Sequence, residues 1–342
     1  RGLKFLFFSV LAVSILGLLA CAGPAAPQKS ATKQKVVAAF PAYQMVDMAY
    51  FLARDKGYFA EEGLDVEFTG APSPEAISAM IAGEMHFEGS GATLVTANIQ
   101  GAPIKRLFTS YSAIPFWIYA KKDIKTAADL KGKSIGVAAL GVEATYLEAK
   151  EAVRVKGGLD PDKDIKWVAT GWEGLAGLKG GSIDAFLAWI PNNFLARDAG
   201  FNELVFFPDV IKADLGYGFG TSDKLIKENP ELISKFMRGI LKGYMAVWAD
   251  KQAAVNAYVR EAKIDPKYAD EAYVLDKKLY DANKLSHDGS VDDATLKASI
   301  DFGKKMLGVT TDIPITKVFD QSFVKKAYKE LQDSGWKPKV GN

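Results

Sequence analysis

The stretch Thr109-Ser110-Tyr111-Ser112-Ala113-Ile114-Pro115-Phe116-Trp117-Ile118-Tyr119-Ala120, continued through Lys121-Lys122-Asp123 to Gly141-Val142-Glu143-Ala144, decides the fold. Ile114 and Phe116 to Tyr119 read as an apolar, aromatic strand around Pro115, ended by the charged turn Lys121-Lys122-Asp123. Thr126 and Asp129 stand at the spacing of a capping box, which starts a short helix closed by Gly132. Ser134 to Ala138 is then a strand, and Gly141-Val142-Glu143-Ala144 opens the next helix. The stretch is therefore the join between one α/β unit and a second. A loop that leaves a strand end and enters a helix amino terminus is where open α/β sheets bind ligands.

Upstream, the pattern is a strand at Val36 to Phe40, a helix at Met48 to Lys56 and a strictly alternating strand in Leu64-Asp65-Val66-Glu67-Phe68-Thr69. Ser73 is read as the cap of a helix that begins at Pro74 and runs to Gly83. A short strand at Met85 to Glu88, a helix from Thr93 to Gln100 and a strand from Ile104 to Ser112 complete the first unit. Downstream, strands at Ile165 to Ala169, Ile183 to Trp189 and Glu203 to Phe207 alternate with helices, which predicts a mostly parallel sheet in each unit. After Ser222 the pattern turns helical, with Leu232, Phe236, Ile240, Tyr244 and Val247 on one face of a long helix after Pro230. These helices are expected to pack on the first unit, and no sequence repeat relates the two units.

The 342 residues exceed one average core, and 49% hydrophobic with 25% charged side chains is an ordinary globular balance. Arg1 and Lys4 ahead of the apolar run Phe5 to Ala20 read as a secretory signal, residues 1–20. Its end, Leu18-Leu19-Ala20-Cys21, resembles the lipobox of bacterial lipoproteins, in which the cysteine is lipidated. Residues 21–35 then form a flexible tether rich in Ala, Pro, Gln and Lys. Cys21 is the only cysteine, which excludes a disulfide, a cysteine metal site or thiol chemistry in the folded part. Past residue 20, 41 basic side chains face 41 acidic ones, so affinity for nucleic acid is not expected.

The strand ends ahead of helices carry small, hydroxyl and aromatic residues. They are Tyr43-Gln44, Ser73 and Ser90-Gly91-Ala92 in the first unit, and Gly141-Val142-Glu143, Trp172-Glu173 and Trp189-Ile190-Pro191-Asn192 in the second. Phe116, with Ser112 and Tyr217 at the two crossings between units, completes the candidate ligand-binding set. Trp172 and Trp189 can sandwich a flat ligand; the bland alternative is that the serines are caps and the tryptophans core. The strand ends offer hydroxyls and amides but no arginine, so a small aromatic or heterocyclic ligand held by stacking is expected before an inorganic anion. His86 and His287 have no ligand-spaced Cys, Asp or Glu, so no metal is expected. Glu84 and Glu88 flank His86 at alternate strand positions, which reads as a solvated face. Ser90 lacks the spacing of a nucleophile elbow, and no Gly-rich Lys loop for phosphate is present.

Gly57-Tyr58-Phe59-Ala60-Glu61-Glu62-Gly63-Leu64-Asp65-Val66, Gly83-Glu84, Asp129-Leu130-Lys131-Gly132-Lys133-Ser134-Ile135-Gly136-Val137, Gly158-Leu159-Asp160-Pro161 and Gly181-Ser182-Ile183-Asp184-Ala185 resemble the substrate-binding proteins of ABC importers. Within these, the pattern is similar to the family that binds nitrate, taurine, alkanesulfonates and thiamine-pyrimidine precursors. The resemblance implies an α/β, two-lobed periplasmic-binding-protein-like fold of type II. Lobe 1 would comprise residues 36–112 and 214–342, lobe 2 residues 113–213, and two crossing segments would act as the hinge. It implies a monomeric, extracytoplasmic, lipid-anchored protein that delivers a small molecule to a permease and its ATPase, with no cofactor and no catalysis. A sulfonate, taurine or nitrate binder is the nearest alternative, and a ligand-sensing lobe is another. The family's pyrimidine-synthesising enzyme branch uses a cysteine-rich segment and a reactive histidine, which this chain does not match.

Overall fold

The structure, a computed structural model, describes residues 32–341 except 42, 111–114, 172, 212–215 and 283–287. The signal, Cys21, most of the tether, Ser112, Trp172, His287 and part of the second expected crossing lie outside the described residues.

The chain begins with β1 (Gln34–Phe40), α1 (Met48–Asp55), α2 (Tyr58–Glu61), β2 (Leu64–Gly70), α3 (Ser73–Ala82), β3 (Phe87–Glu88), α4 (Ala92–Ile99) and β4 (Ile104–Arg106). It continues with β5 (Trp117–Ala120), a 3-10 turn at Ala127–Leu130, β6 (Ser134–Val137), α5 (Ala144–Gly157), β7 (Lys166–Ala169), α6 (Gly174–Gly180), β8 (Ala185–Ala188), α7 (Asn192–Asp198), β9 (Asn202–Phe206) and α8 (Phe207–Val210). The last part holds β10 (Gly220–Ser222), α9 (Asp223–Glu228), α10 (Pro230–Ala249), α11 (Lys251–Ala262), α12 (Pro266–Ala282), α13 (Asp293–Leu307), α14 (Ile315–Val318) and α15 (Ser322–Asp333).

Two five-stranded sheets result, in the orders β2-β1-β3-β10-β4 and β7-β6-β8-β5-β9. In the first, β1 is parallel to β2 and β3, while β10 is antiparallel to β3 and β4. In the second, β6 is parallel to β7 and β8, while β5 is antiparallel to β8 and β9. The sheets are mostly parallel as expected, and each has one antiparallel strand in the same place. That strand is the one the chain enters after leaving the other sheet. The two halves thus repeat each other in topology without a repeat in sequence.

Local chemistry explains these elements. Thr126 and Asp129 form the expected capping box around the 3-10 turn. In β2 the leading apolar residues Leu64 and Val66 are buried and their polar neighbours exposed, whereas all four residues of β5 are buried. The β4 strand ends at Arg106, short of the expected Ser112, because residues 107–110 leave the sheet to pair with the returning segment. Leu107 N and Phe108 N donate to the Phe219 carbonyl at 2.7 and 3.1 Å, and Ser110 N donates to the Tyr217 carbonyl at 2.9 Å.

Helix α10 starts at Pro230 with the Asn229 side chain accepting from Leu232 N, and it buries the predicted face of Leu232, Phe236, Ile240, Tyr244 and Val247. Phe236 stacks on Phe87 of β3 at 3.8 Å between centroids, which ties the helix to the first sheet. Glu61 and Glu62, in the Gly-Tyr-Phe-Ala-Glu-Glu-Gly segment, pair with Lys242 and Arg238 of α10, so that segment has a structural task. Where α10 crosses α1, a Cβ on Gly243 would stand 2.0 Å from the Ala49 carbonyl oxygen. Gly243→Ala is therefore expected to lower the unfolding free energy by about 1–3 kcal/mol, read as a lower urea midpoint, and an unchanged midpoint would contradict this close crossing.

Candidate ligand-binding cleft

The carboxyl ends of β1, β2 and β8 and the connection from α11 to α12 meet around a cleft of about 700 Å³. Its walls include Phe40, Pro41, Tyr43 and Pro72 from the first sheet, Trp189, Asn192 and Leu195 from the second, and Ile264 and Tyr268 from the helical part. Tyr43 is held edge-on by Phe40 at 4.9 Å and lies nearly parallel to Phe51. Tyr268 lies parallel to Phe194 at 6.1 Å, and its hydroxyl donates to Asp198 Oδ2 at 2.7 Å. Tyr258 pins the floor from below, its hydroxyl donating within reach of the Tyr43 and Ile190 carbonyls at 3.1 and 3.2 Å. The Ile190–Pro191 bond that leads into α7 is cis.

Pro41 and Trp189 also line a second, narrow pocket of about 20 Å³, which is polar on one side. Gln44, Ser73, Ser90, Thr93, Glu143, Thr145 and Tyr217 face it, with Phe116, Ala92, Ala144 and Leu187 on the apolar side. Gln44 Nε2 donates to the Tyr217 hydroxyl at 2.7 Å, and Gln44 N donates to Asp47 Oδ2 at 3.0 Å. Glu143 caps α5 by accepting from Tyr146 N at 3.0 Å and also accepts from the Thr145 hydroxyl. Thr93 reaches Glu143 Oε1 at 3.4 Å, and the Thr96 hydroxyl donates to the Val142 carbonyl at 2.7 Å, so α4 and the loop from β6 to α5 are joined directly.

The charges of this pocket are acidic. Glu88 is fully buried, and burial pushes its carboxyl up to about 7 against the pull of the Ser90 hydroxyl, which donates to it at 2.7 Å. Burial likewise raises the Glu143 carboxyl, and raises Asp47 to about 8. The Tyr217 hydroxyl is held well above its usual range by burial and then by the charges of Asp47, Glu143, Glu88 and Glu148.

Of the sequence-predicted residues, Tyr43, Asn192 and Trp189 line the large cleft, and Gln44, Ser73, Ser90, Ala92, Phe116, Glu143 and Tyr217 meet Trp189 at the narrow pocket. Other expectations are corrected. Gly91 turns its Cα towards the returning segment, where a Cβ would stand 2.4 Å from Gly218 N, and it is absent from the lining of either pocket. Gly141 is exposed, Val142 spends its carbonyl on Thr96, and Glu173 is exposed at the start of α6. Ser73 is the first residue of α3 and makes no cap bond; its hydroxyl serves Glu88 instead. Glu88 is not on a solvated face but fully buried, and His86 Nδ1 accepts from Val37 N at 3.1 Å. Pro41, Thr93, Leu195, Ile264 and Tyr268 were not foreseen. The run Pro266-Lys267-Tyr268 was the one available signal, an aromatic in the first turn of a helix.

Similar proteins give this geometry a context. The riboflavin-binding protein RibY of Chloroflexus aurantiacus is 25% identical over 283 residues, 77% of this chain and 80% of that one. The periplasmic nitrate-binding protein NrtA of Synechocystis PCC 6803 superposes with a TM-score of 0.69 at 13% identity, over 88% of this chain and 89% of the other. The desulfurization enzyme DszB superposes with a TM-score of 0.62 at 15% identity, over 87% of this chain and 99% of that one. The two structures share the fold, which is the α/β periplasmic-binding-protein fold. The NMT1/THI5-like family model matches residues 44–254, a span that holds both sheets' central strands, nearly all of the narrow pocket's lining and about half of the cleft's, and the chain belongs to the NMT1/THI5-like family.

Proposed function

We propose that this chain is the extracytoplasmic solute-binding component of an ABC importer, and that it captures a flat heterocycle, riboflavin or a close analogue, between its two sheets. The observation that carries this reading is the cleft of about 700 Å³ walled by Tyr43, Trp189, Tyr268 and Phe40, which is large enough for a three-ring system and rich in faces to stack on. The riboflavin-binding name of the 25% identical relative supports the same class. In this reading residues 36–112 with 214–342 and residues 113–213 are the two lobes, a reading supported by the separation of β1 to β4 and β10 from β5 to β9 into different sheets. The paired segments 107–110 and 217–219 then serve as the hinge, Cys21 carries the lipid anchor, and the monomer presents the closed lobes to a permease.

The enzyme alternative has support from the DszB fold, but the chemistry near the cleft opposes it. His86 has its Nδ1 bonded to backbone, and the buried acids sit among hydroxyls rather than beside a nucleophile and base. A thermal-shift screen of the chain from residue 22 onward against flavins, pyrimidines, aromatic acids, taurine and nitrate tests the function. A ligand at a hundred times its dissociation constant adds about 2.7 kcal/mol, and the response is expected from riboflavin or another flat ring. A response confined to taurine or nitrate would overturn the ligand class.

A further inference from the structure

We propose that Glu143, backed by Glu88 behind the Ser90 hydroxyl, makes the narrow end of the cleft a selectivity filter, which admits a ligand's hydroxyl or amino donors and rejects a phosphate, sulfonate or carboxylate. The inference rests on the flat-ring reading above and adds to it which form of such a ligand is taken. The narrow pocket adjoins the aromatic cleft through Pro41 and Trp189, and at about 20 Å³ it takes one small terminal group of a ligand stacked at Trp189.

The lining at that end is built to accept. Glu143, 8% exposed, faces the pocket from the start of α5, and Glu88, 0% exposed, stands behind Ser73 and Ser90, whose hydroxyls it engages. Glu88 Oε1 is buried without a hydrogen-bond partner among the described residues, as is Asp47 Oδ1. Neither atom lines a pocket, so the carboxyl that meets a ligand directly is that of Glu143, with Glu88 behind the Ser90 hydroxyl and Asp47 behind the Gln44 amide. The groups facing Tyr217, at the centre of the pocket wall, are the carboxyls of Asp47, Glu143, Glu88 and Glu148. The nearby cation, Arg106, gives Nη2 to the Tyr217 carbonyl at 2.7 Å and Nε to the Phe108 carbonyl at 3.3 Å, on the crossing segments.

An anion entering such a site gives up its water where no cation among the described residues lines the pocket, and the burial that already raises the Glu143 carboxyl penalises a second negative charge in the same way, whereas a hydroxyl or ammonium brings a donor that a carboxyl oxygen can accept. The amides at the starts of α4 and α5 do not reverse this. The α5 terminus is already occupied by the Glu143 carboxylate, and the Ala144 amide is directed at Thr93 Oγ1, 3.4 Å away.

The test is calorimetric titration of the wild-type chain with two matched pairs, riboflavin against riboflavin 5'-phosphate and tryptamine against indole-3-acetate, with taurine as a ringless anion. The expected result is that the unphosphorylated or amino member binds at least tenfold more tightly, and that Glu143→Gln narrows the gap by weakening the first and strengthening the second. Glu88→Gln provides a second route if Glu143→Gln does not fold. Equal or tighter binding of the anionic member of either pair, or micromolar taurine binding, would overturn the filter while leaving the flat-ring cleft in place. Silence from all four ring compounds would instead sink the flat-ring reading, and the filter with it.

Discussion

Trp189→Ala is expected to remove ligand binding and to lower stability by about 3–5 kcal/mol, the range for deleting a large buried aromatic. Trp189 is 6% exposed, follows β8 directly and forms part of both the large cleft and the narrow pocket. Its loss takes away the stacking face and opens the partition between the two spaces, so affinity falls by tenfold or more even where the protein remains folded. Trp189→Phe separates the two effects. A smaller ring keeps an apolar partition, so stability falls by less than half as much while affinity still drops. Chemical denaturation and calorimetric titration measure the two quantities. A Trp189→Ala protein that binds as well as the parent would make Trp189 a core residue and move the ligand elsewhere.

The second large effect concerns pH. Asp47 is fully buried with its carboxyl raised to about 8, and Glu88 is fully buried at about 7. In the unfolded chain both ionise near their ordinary values of about 4. Between pH 4 and 8 the folded state therefore holds protons that the unfolded state has released. Each such group makes unfolding easier by about 1.4 kcal/mol per pH unit across its window. The stability these protons supply is fully present below pH 4 and is lost as pH rises through 7 and 8. The opposite slope comes from surface acids such as Asp184, held down to about 2 by Lys121 and the Ser134 amide, whose contribution disappears only below pH 4. The unliganded protein is thus expected to be most stable near pH 4 to 5 and to lose several kcal/mol by pH 8. Asp47→Asn keeps an acceptor for Gln44 N and should flatten the slope. Melting temperatures from pH 4 to 8 decide it, and a parent protein whose stability rises across that range would contradict the buried, protonated acids.

What the sequence made legible was what short-range chemistry controls. The Thr126 and Asp129 box, the start of α10 at Pro230 and the leading alternation in β2 depend on neighbours within one turn or one pleat, and each stands as read. The strand ends bring Tyr43, Ser90, Glu143 and Trp189 to the lining of the two pockets, because in an open α/β sheet the carboxyl ends of strands converge. Glu88 was misread for a physical reason. Alternation implies one wet face, but both residues of β3 are buried, Phe87 under Phe236 of α10 and Glu88 against the Ser90 hydroxyl. Gly91 carried a true signal, a glycine where no side chain fits, and the backbone that approaches it in the fold is Gly218. Leu195 and Ile264 were invisible, and Tyr268 was marked only as an aromatic in a first helical turn, because they reach the cleft from α7, the α11 to α12 connection and the start of α12, and nothing local says where a helix hairpin will dock.

The measurement that tests the account most directly is a fluorescence titration of riboflavin with the purified chain, followed by competition with nitrate and taurine. The account predicts saturable quenching at one flavin per chain, as the ring stacks between Tyr43, Trp189 and Tyr268, with no displacement by either anion. An unquenched flavin, together with tight binding of nitrate or taurine, would contradict it.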